Sequence, residues 1–323
     1  MRCEQHAFRQ MKKKFFPKAD EEQFAYIGFP WATLIDLKRQ KSLQTERISK
    51  LESELSMLVE KIGAREKVIT VCQQVYALQF QGLFESAGIT DLFWAHATKN
   101  QFVFPKTSDI SIHPFPLYPV QQVALKLDDI DKPRKYLFSF VGAKSNDFYL
   151  TKSRNLIYSE LGEDPRGIVL IRDSWHYNKI VYDTQIRNNL QLSGDSIDEV
   201  ASMQFQSIMS QSIFSLCPSG TGPNSIRLWE SALNGSIPVI LADTYRHPGD
   251  DDLWNLATVS CPENEVDIRN LPDKLNAVAS DPEMLHRKRM ALYLLMQKYG
   301  PDSFVDDILN MMHAVPPHEN LTV

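Results

Sequence analysis

Arg227 and Glu230 stand three residues apart in "SIRLWESALNG", directly behind "CPSGTGPNS", a turn that carries Gly220 and Gly222. Residues three apart on a helix lie on neighbouring faces. A guanidinium one turn from a helix start opposes the helix dipole unless it serves a ligand or a partner. The two glycines permit positive φ and close backbone approach. Such a turn aims unpaired N–H groups beyond the carboxyl edge of the preceding strand, which makes an anion the natural ligand. Arg227 would then meet a diphosphate, and Glu230 would accept hydrogen bonds from ribose hydroxyls. The plain alternative is a surface Arg–Glu pair behind an ordinary glycine turn. The run matches neither G-x-x-x-x-G-K-[ST] nor G-x-G-x-x-G, which sets it apart from the common nucleoside-triphosphate and dinucleotide loops.

The elements that must hold these residues are legible around them. "SIFSLCP" reads as a strand ending at Pro218, and Gly235 closes the helix that follows the turn. "SIPVILAD" then returns as a second strand. Upstream, "YLFSFVG", "SRNLIYSEL", "GIVLIRD" and a helix around Val200 to Ser210 continue the alternation. Alternating strands and helices predict a parallel sheet with helices on both faces. In the first half, "FAYIGFPW" reads as a buried strand. Ile48, Leu51, Leu55, Leu58 and Ile62 then mark one apolar helix stripe that stops at Gly63. "KVITVCQQV" is a β-branched strand, "LQFQGLFESAG" is helix-like, and "DLFWAHA" is a short strand. Pro114, Pro116 and Pro119 make "IHPFPLYPV" an extended, stiff segment. The polar stretch "DDIDKPRK" places a boundary at 133/134, giving domains 1–133 and 134–323, with the last helix packing back on the first domain.

Bulk properties narrow the function classes. The 323 residues suit two domains, and 43% hydrophobic with 23% charged residues is a globular balance. A net charge of -5 leaves no excess of cations for a nucleic-acid backbone. No stretch is apolar enough for a membrane span, and the basic opening lacks a signal-like apolar core. Its "KKK" at Lys12 to Lys14 is a solvated face or a contact for anionic lipid. Cys3, Cys72, Cys217 and Cys261 lie far apart, as reduced thiols in a cytoplasmic chain do.

The block from "SIFSLCP" to "SIPVIL" resembles the signature of exostosin-type (family 47) glycosyltransferases, with its F-x-L-x-P-x-G, S-x-R-L-x-E and G-x-I-P-V-I pattern. "FSFVGAKSN", "SRNLIYSEL" and "HPGDDDLW" extend the resemblance over about residues 135 to 275. It implies a GT-B fold: an α/β chain of two Rossmann-like domains facing across a cleft, the second holding a nucleotide sugar and the first an acceptor. Carried over by position, Ser219, Gly220 and Thr221 approach the diphosphate or donor sugar, with Asn224 and Ser225 at the helix start. Arg227 lies near the phosphates and Glu230 on the ribose. Gly142 lets the first strand pass close to the diphosphate, and Lys144 and Arg154 supply positive charge.

The reaction so implied is inverting glycosyl transfer from a nucleoside-diphosphate sugar, UDP being the commonest carrier, to a glycan or lipid-linked glycan. Positive side chains and N–H groups can meet the leaving charge, so no metal or other cofactor is expected, and "GDDDLW" and "LDDID" read as solvated loops. An inverting enzyme needs a base. Asp36 and His96 are the candidates, with His113 a further alternative, and each has a structural reading as well. Trp175, His176 and Tyr177 in "RDSWHYNK" could stack on a base or sugar ring. The expected location is cytoplasmic, peripheral to the inner membrane face. The rival readings are an epimerase using the same nucleotide sugars and an inactive relative serving as a partner subunit of a glycan-assembly complex.

Overall fold

The computed structural model describes residues 2–14, 23–40, 44–105, 110–120, 125–172 and 199–313. Two parallel sheets organise them. The first runs β1 (Phe24–Ile27), β2 (Lys67–Cys72), β3 (Asp91–Trp94), β4 (Ser111–Pro114) in chain order. Ile27 pairs with Thr70, Cys72 with Trp94 and Phe93 with His113. The Pro-rich segment enters this sheet only as its edge strand β4, where a missing N–H is tolerated. The second sheet contains β5 (Tyr136–Gly142), β6 (Gly167–Ile171), β7 (Ser212–Pro218), β8 (Ile237–Leu241) and β9 (Val259–Ser260). Its order is β6-β5-β7-β8-β9, so the chain leaves β5 on one side and returns to β7 on the other.

Period-two patterning explains the layers of the first sheet. Val68 and Cys72 of β2, with Leu92 and Trp94 of β3, face α2 (Trp31–Arg39), α3 (Thr45–Ile62) and α4 (Gln81–Ser86). The alternate residues Ile69, Val71 and Phe93 face α1 (Arg2–Lys14) and the last described helix, α12 (Asp306–His313). Lys14 and Asp306 close that layer with a 2.8 Å ion pair. The α3 stripe is less buried than its spacing suggests: Leu55 enters the core, whereas Leu58 is largely exposed. Two readings shift. "FAYIGFPW" is a strand only to Ile27, because Pro30 precedes the helix that opens at Trp31. "LQFQGLFESAG" splits into a 3-10 turn, Ala77–Phe80, and the short α4.

Around the second sheet lie α5 (Ser153–Leu161), α6 (Glu199–Ser210), α7 (Ile226–Leu233), α8 (Asp251–Ala257), α9 (Glu265–Arg269), α10 (Leu271–Ala279) and α11 (Pro282–Tyr299). One continuous core joins Phe138 and Phe214 of the strands to Trp229, Trp254 and Leu292 of the helices. The acidic runs are partly structural: Asp250 caps α8 through the Asp252 N–H at 2.8 Å, and Asp131 lies 2.8 Å from His286 Nδ1. All four cysteines are buried and free. Among the described residues no helix is long and apolar enough to cross a membrane.

One buried carboxylate fixes α1 to the first sheet. Glu4 Oε1 accepts the N–H of Ala32 at 3.1 Å, in the first turn of α2, and that of Gln73 at 3.2 Å, just past β2. Burial raises the Glu4 pKa, while these N–H groups pull it down. Replacing Glu4 with Ala strands two inward-facing donors, so urea unfolding should show a loss of about 1–3 kcal/mol. An unchanged midpoint would mean that α1 is held by its apolar face and its other polar contacts, such as Lys14 with Asp306, without Glu4.

Candidate functional site

The ladder between β5 and β7 stops at Ser139 and Ser215, although both strands run on for three more residues. Their carboxyl ends therefore splay apart, at the point where the strand order reverses. Arg227, in the first turn of α7, fills the opening, and its Nη2 donates to the Val141 carbonyl at 2.5 Å. Its Nε and Nη1 are buried without a hydrogen-bond partner among the described residues. Arg154, on α5, comes in from the other side with 8% exposure, its Nε donating to the Ser219 carbonyl at 3.3 Å.

Gly142 lies between the two guanidiniums. A Cβ there would stand 2.7 Å from Arg227 Nη2, so the absent side chain is what lets Arg227 approach, while Arg154 Nη1, at 3.4 Å, would only be in contact with it. The Gly142 carbonyl points elsewhere, accepting from the Arg172 N–H and the Tyr158 hydroxyl. Burial lowers the Arg154 pKa to about 10, and Arg227 beside it pushes the same way. Burial likewise lowers Arg227, with the Glu230 charge among those opposing it. Aromatic rings supply part of the compensation: Phe140 lies 4.5 Å from the Arg227 guanidinium, and Tyr149 4.5 Å from that of Arg154. Two neighbouring guanidiniums, with donors of Arg227 unfilled among the described residues, have the chemistry to cradle an oxyanion.

The turn after β7 completes the cradle, by a different route from positive φ. Neither Gly220 nor Gly222 has positive φ; what the turn needs from Gly222 is space. A Cβ on Gly222 would lie 2.3 Å from His96 Nδ1, across the gap to the first sheet. Gly220 is more open, with Arg154 and Tyr149 just within 4 Å of its Cβ position, and its carbonyl accepts the Leu150 N–H at 2.9 Å. Ser219 is buried and Thr221 exposed. Ser225 takes the position before α7 but makes no side-chain cap. Asn224 faces the first sheet: Nδ2 donates to the Ala95 carbonyl at 2.8 Å, and Oδ1 accepts from Trp229 Nε1 at 2.9 Å. The segments after β3 and β8 also meet, Lys99 N–H donating to the Thr244 carbonyl and Arg246 N–H to that of Ala97. The carboxyl edges of both sheets thus face each other.

Gly142, Arg154, Ser219, Gly220 and Arg227 converge. Glu230 sits on the same helix as Arg227 and is 2% exposed, while Lys144 is exposed two residues past Gly142. The acid–base candidates lie on the first sheet's carboxyl edge. His96 is buried under Gly222; one ring nitrogen donates to the Gln73 carbonyl, Nδ1 has no partner among the described residues, and burial lowers its pKa to about 4. Asp36, on α2, is half-buried and accepts from Gln74 Nε2 at 2.5 Å. Burial raises Asp36 to about 6, with Arg39 and Gln74 opposing. His113 is occupied by Asp91 at 2.8 Å. Trp175, His176 and Tyr177 lie outside the described residues. Sequence reasoning missed Tyr149 and Glu263. Glu263 meets the turn through Ser219, 44 residues away, and only the strand order brings them together.

Comparison with known proteins follows the same residues. The family profile for the exostosin GT47 domain matches residues 39–275. A Caenorhabditis elegans exostosin-1 homolog is 27% identical over 190 residues, covering 56% of this chain and 47% of that protein. A probable glucuronoxylan glucuronosyltransferase of Arabidopsis thaliana is 36% identical over 105 residues, 30% of this chain and 22% of that one. A probable β-1,4-xylosyltransferase of the same plant is 33% identical over 120 residues, 34% and 28% of the two chains. The chain thus spans about half or less of these relatives' lengths. Among solved structures, Anabaena HepE with UDP-glucose is similar at a TM-score of 0.47 and 11% identity, over 91% of this chain and 79% of that one. Matched along well over half its length, from α2 to α10, this chain belongs to the exostosin GT47 family.

Proposed function

We propose that this chain transfers a sugar from a nucleoside-diphosphate sugar, with UDP as carrier, to a glycan acceptor, inverting the anomeric centre. The observation that carries the reading is the pair of guanidiniums over Gly142, with Nε and Nη1 of Arg227 buried and unfilled. A diphosphate supplies the acceptors those donors lack. The names of the glucuronosyl- and xylosyltransferase relatives agree with such a donor and with a polysaccharide acceptor.

In the single displacement, an acceptor hydroxyl oxygen bonds to the anomeric carbon as the bond from that carbon to the diphosphate oxygen breaks. Negative charge gathers on the leaving diphosphate, and preorganised cations stabilise it without reorganising at the moment of reaction. Arg154 and Arg227 do this here, and their two charges make a metal unnecessary. The acceptor proton needs a base whose pKa lies near the working pH. Asp36 fits better than His96: it is half-exposed and poised near 6, whereas Gly222 covers Nδ1 of His96. His96, neutral at working pH, instead packs the first sheet against the glycine turn.

Thermal unfolding with UDP, GDP, ADP and CMP tests the donor site, because a ligand of the native state raises the midpoint by mass action. UDP should raise it, with or without EDTA. Arg227→Ala should weaken UDP by about 10- to 100-fold, the size of one or two charge-assisted hydrogen bonds. A wild type indifferent to all four nucleotides would remove the donor reading.

The base follows from the pH profile. Asp36 is inactive while protonated, so kcat/KM should rise about tenfold per pH unit below its pKa near 6 and level off above it. Asp36→Asn should abolish that limb. A limb near 4 that disappears in His96→Gln would move the base to His96.

A further inference from the structure

Four loops leave the carboxyl edge of the second sheet at β5, β7, β8 and β9, and one carboxylate joins them all. Glu263, past β9, accepts the Ser219 hydroxyl at 2.6 Å and the Thr151 hydroxyl at 2.7 Å on the same Oε1. Oε2 accepts the Asp243 N–H at 3.3 Å, and the Glu263 N–H returns to Asp243 Oδ2 at 3.3 Å. Thr151 belongs to the loop after β5, Ser219 to the glycine turn after β7, and Asp243 to the loop after β8.

The carboxylate also sets proton direction. An ionised carboxyl group only accepts, so Ser219 and Thr151 must both point their protons at it. That leaves the Ser219 oxygen an acceptor and fixes its rotamer. Ser219 is held further by its N–H to the Leu241 carbonyl at 2.8 Å, and its own carbonyl receives Arg154 Nε. A chain of contacts therefore runs from Glu263 through Ser219 to one of the two guanidiniums, and through Thr151 to the Ser153 hydroxyl at the start of the helix that carries Arg154.

We propose that Glu263 is a positioning residue for the diphosphate: it holds Ser219 and Thr151 so that Arg154 stays presented at the cradle. The assignment rests on the donor reading above. It places the contribution of Glu263 on the phosphates and not on the nucleoside.

The test compares wild type, Glu263→Gln and Glu263→Ala for binding of UDP and of uridine, together with amide hydrogen exchange at Ser219 and Gly220 without nucleotide. Both amides are hydrogen-bonded, so loosening of the turn is visible directly. In Glu263→Ala the two amides should lose protection and UDP should weaken by about tenfold, the worth of one charge-assisted contact, with uridine unchanged. Glu263→Gln retains a carbonyl acceptor for the hydroxyls and should recover most of both. Native protection at the two amides in Glu263→Ala, or an equal loss of UDP and uridine, overturns the role of Glu263 and leaves the donor site standing. A wild type that binds no nucleotide while the alanine variant loses protection overturns the donor reading, and the phosphate role of Glu263 with it.

Discussion

The second sheet is organised around a repulsion. Two guanidiniums are brought together in a largely buried place, where Arg227 lowers the proton affinity of Arg154, and Nε and Nη1 of Arg227 find no hydrogen-bond partner among the described residues. Like charges in such surroundings are unfavourable by several kcal/mol unless rings, carbonyls or a ligand offset them. Phe140, Tyr149 and the carbonyls of Val141 and Ser219 offset part. The remainder is what the donor reading assigns to a bound anion. Gly142 keeps the space, the splay of β5 from β7 opens it, and the order β6-β5-β7 sets it where ligands bind in open α/β sheets.

Much of this was legible because it is local. The strand, turn and helix from Ser212 to Leu233 are contiguous, so an arginine one turn into a helix behind two glycines could be placed beside the strand-end turn from spacing alone. The strands around Phe138, Phe214 and Val239 declared themselves by mostly apolar runs, broken only by Ser139 and Ser215, as strands buried on both faces do. What was not legible is what depends on strand order. Glu263 sits in an unremarkable polar stretch until β9 is laid beside β8. Gly222 looked like a source of positive φ, yet its constraint comes from a histidine 126 positions earlier, which no local pattern encodes.

The first sheet shows the same limit. Asp36 belongs to a helix whose start is set by Pro30. The pairing of Asp36 with Gln74 joins the exits of two neighbouring strands, and His96 shares that edge through Gln73. Their contrasting proton affinities follow from one variable, the degree of burial, acting on groups of opposite charge type. It raises the carboxyl group and depresses the imidazole.

Asn224 has a mechanical consequence. Its amide grips the first sheet by the Ala95 carbonyl and the second by the Trp229 ring, from within the turn that borders the arginine cradle. Any rotation of one sheet against the other must either pivot on this side chain or tear it free. Strain between the halves is therefore shared by the turn and by the Lys99–Thr244 and Arg246–Ala97 backbone bonds.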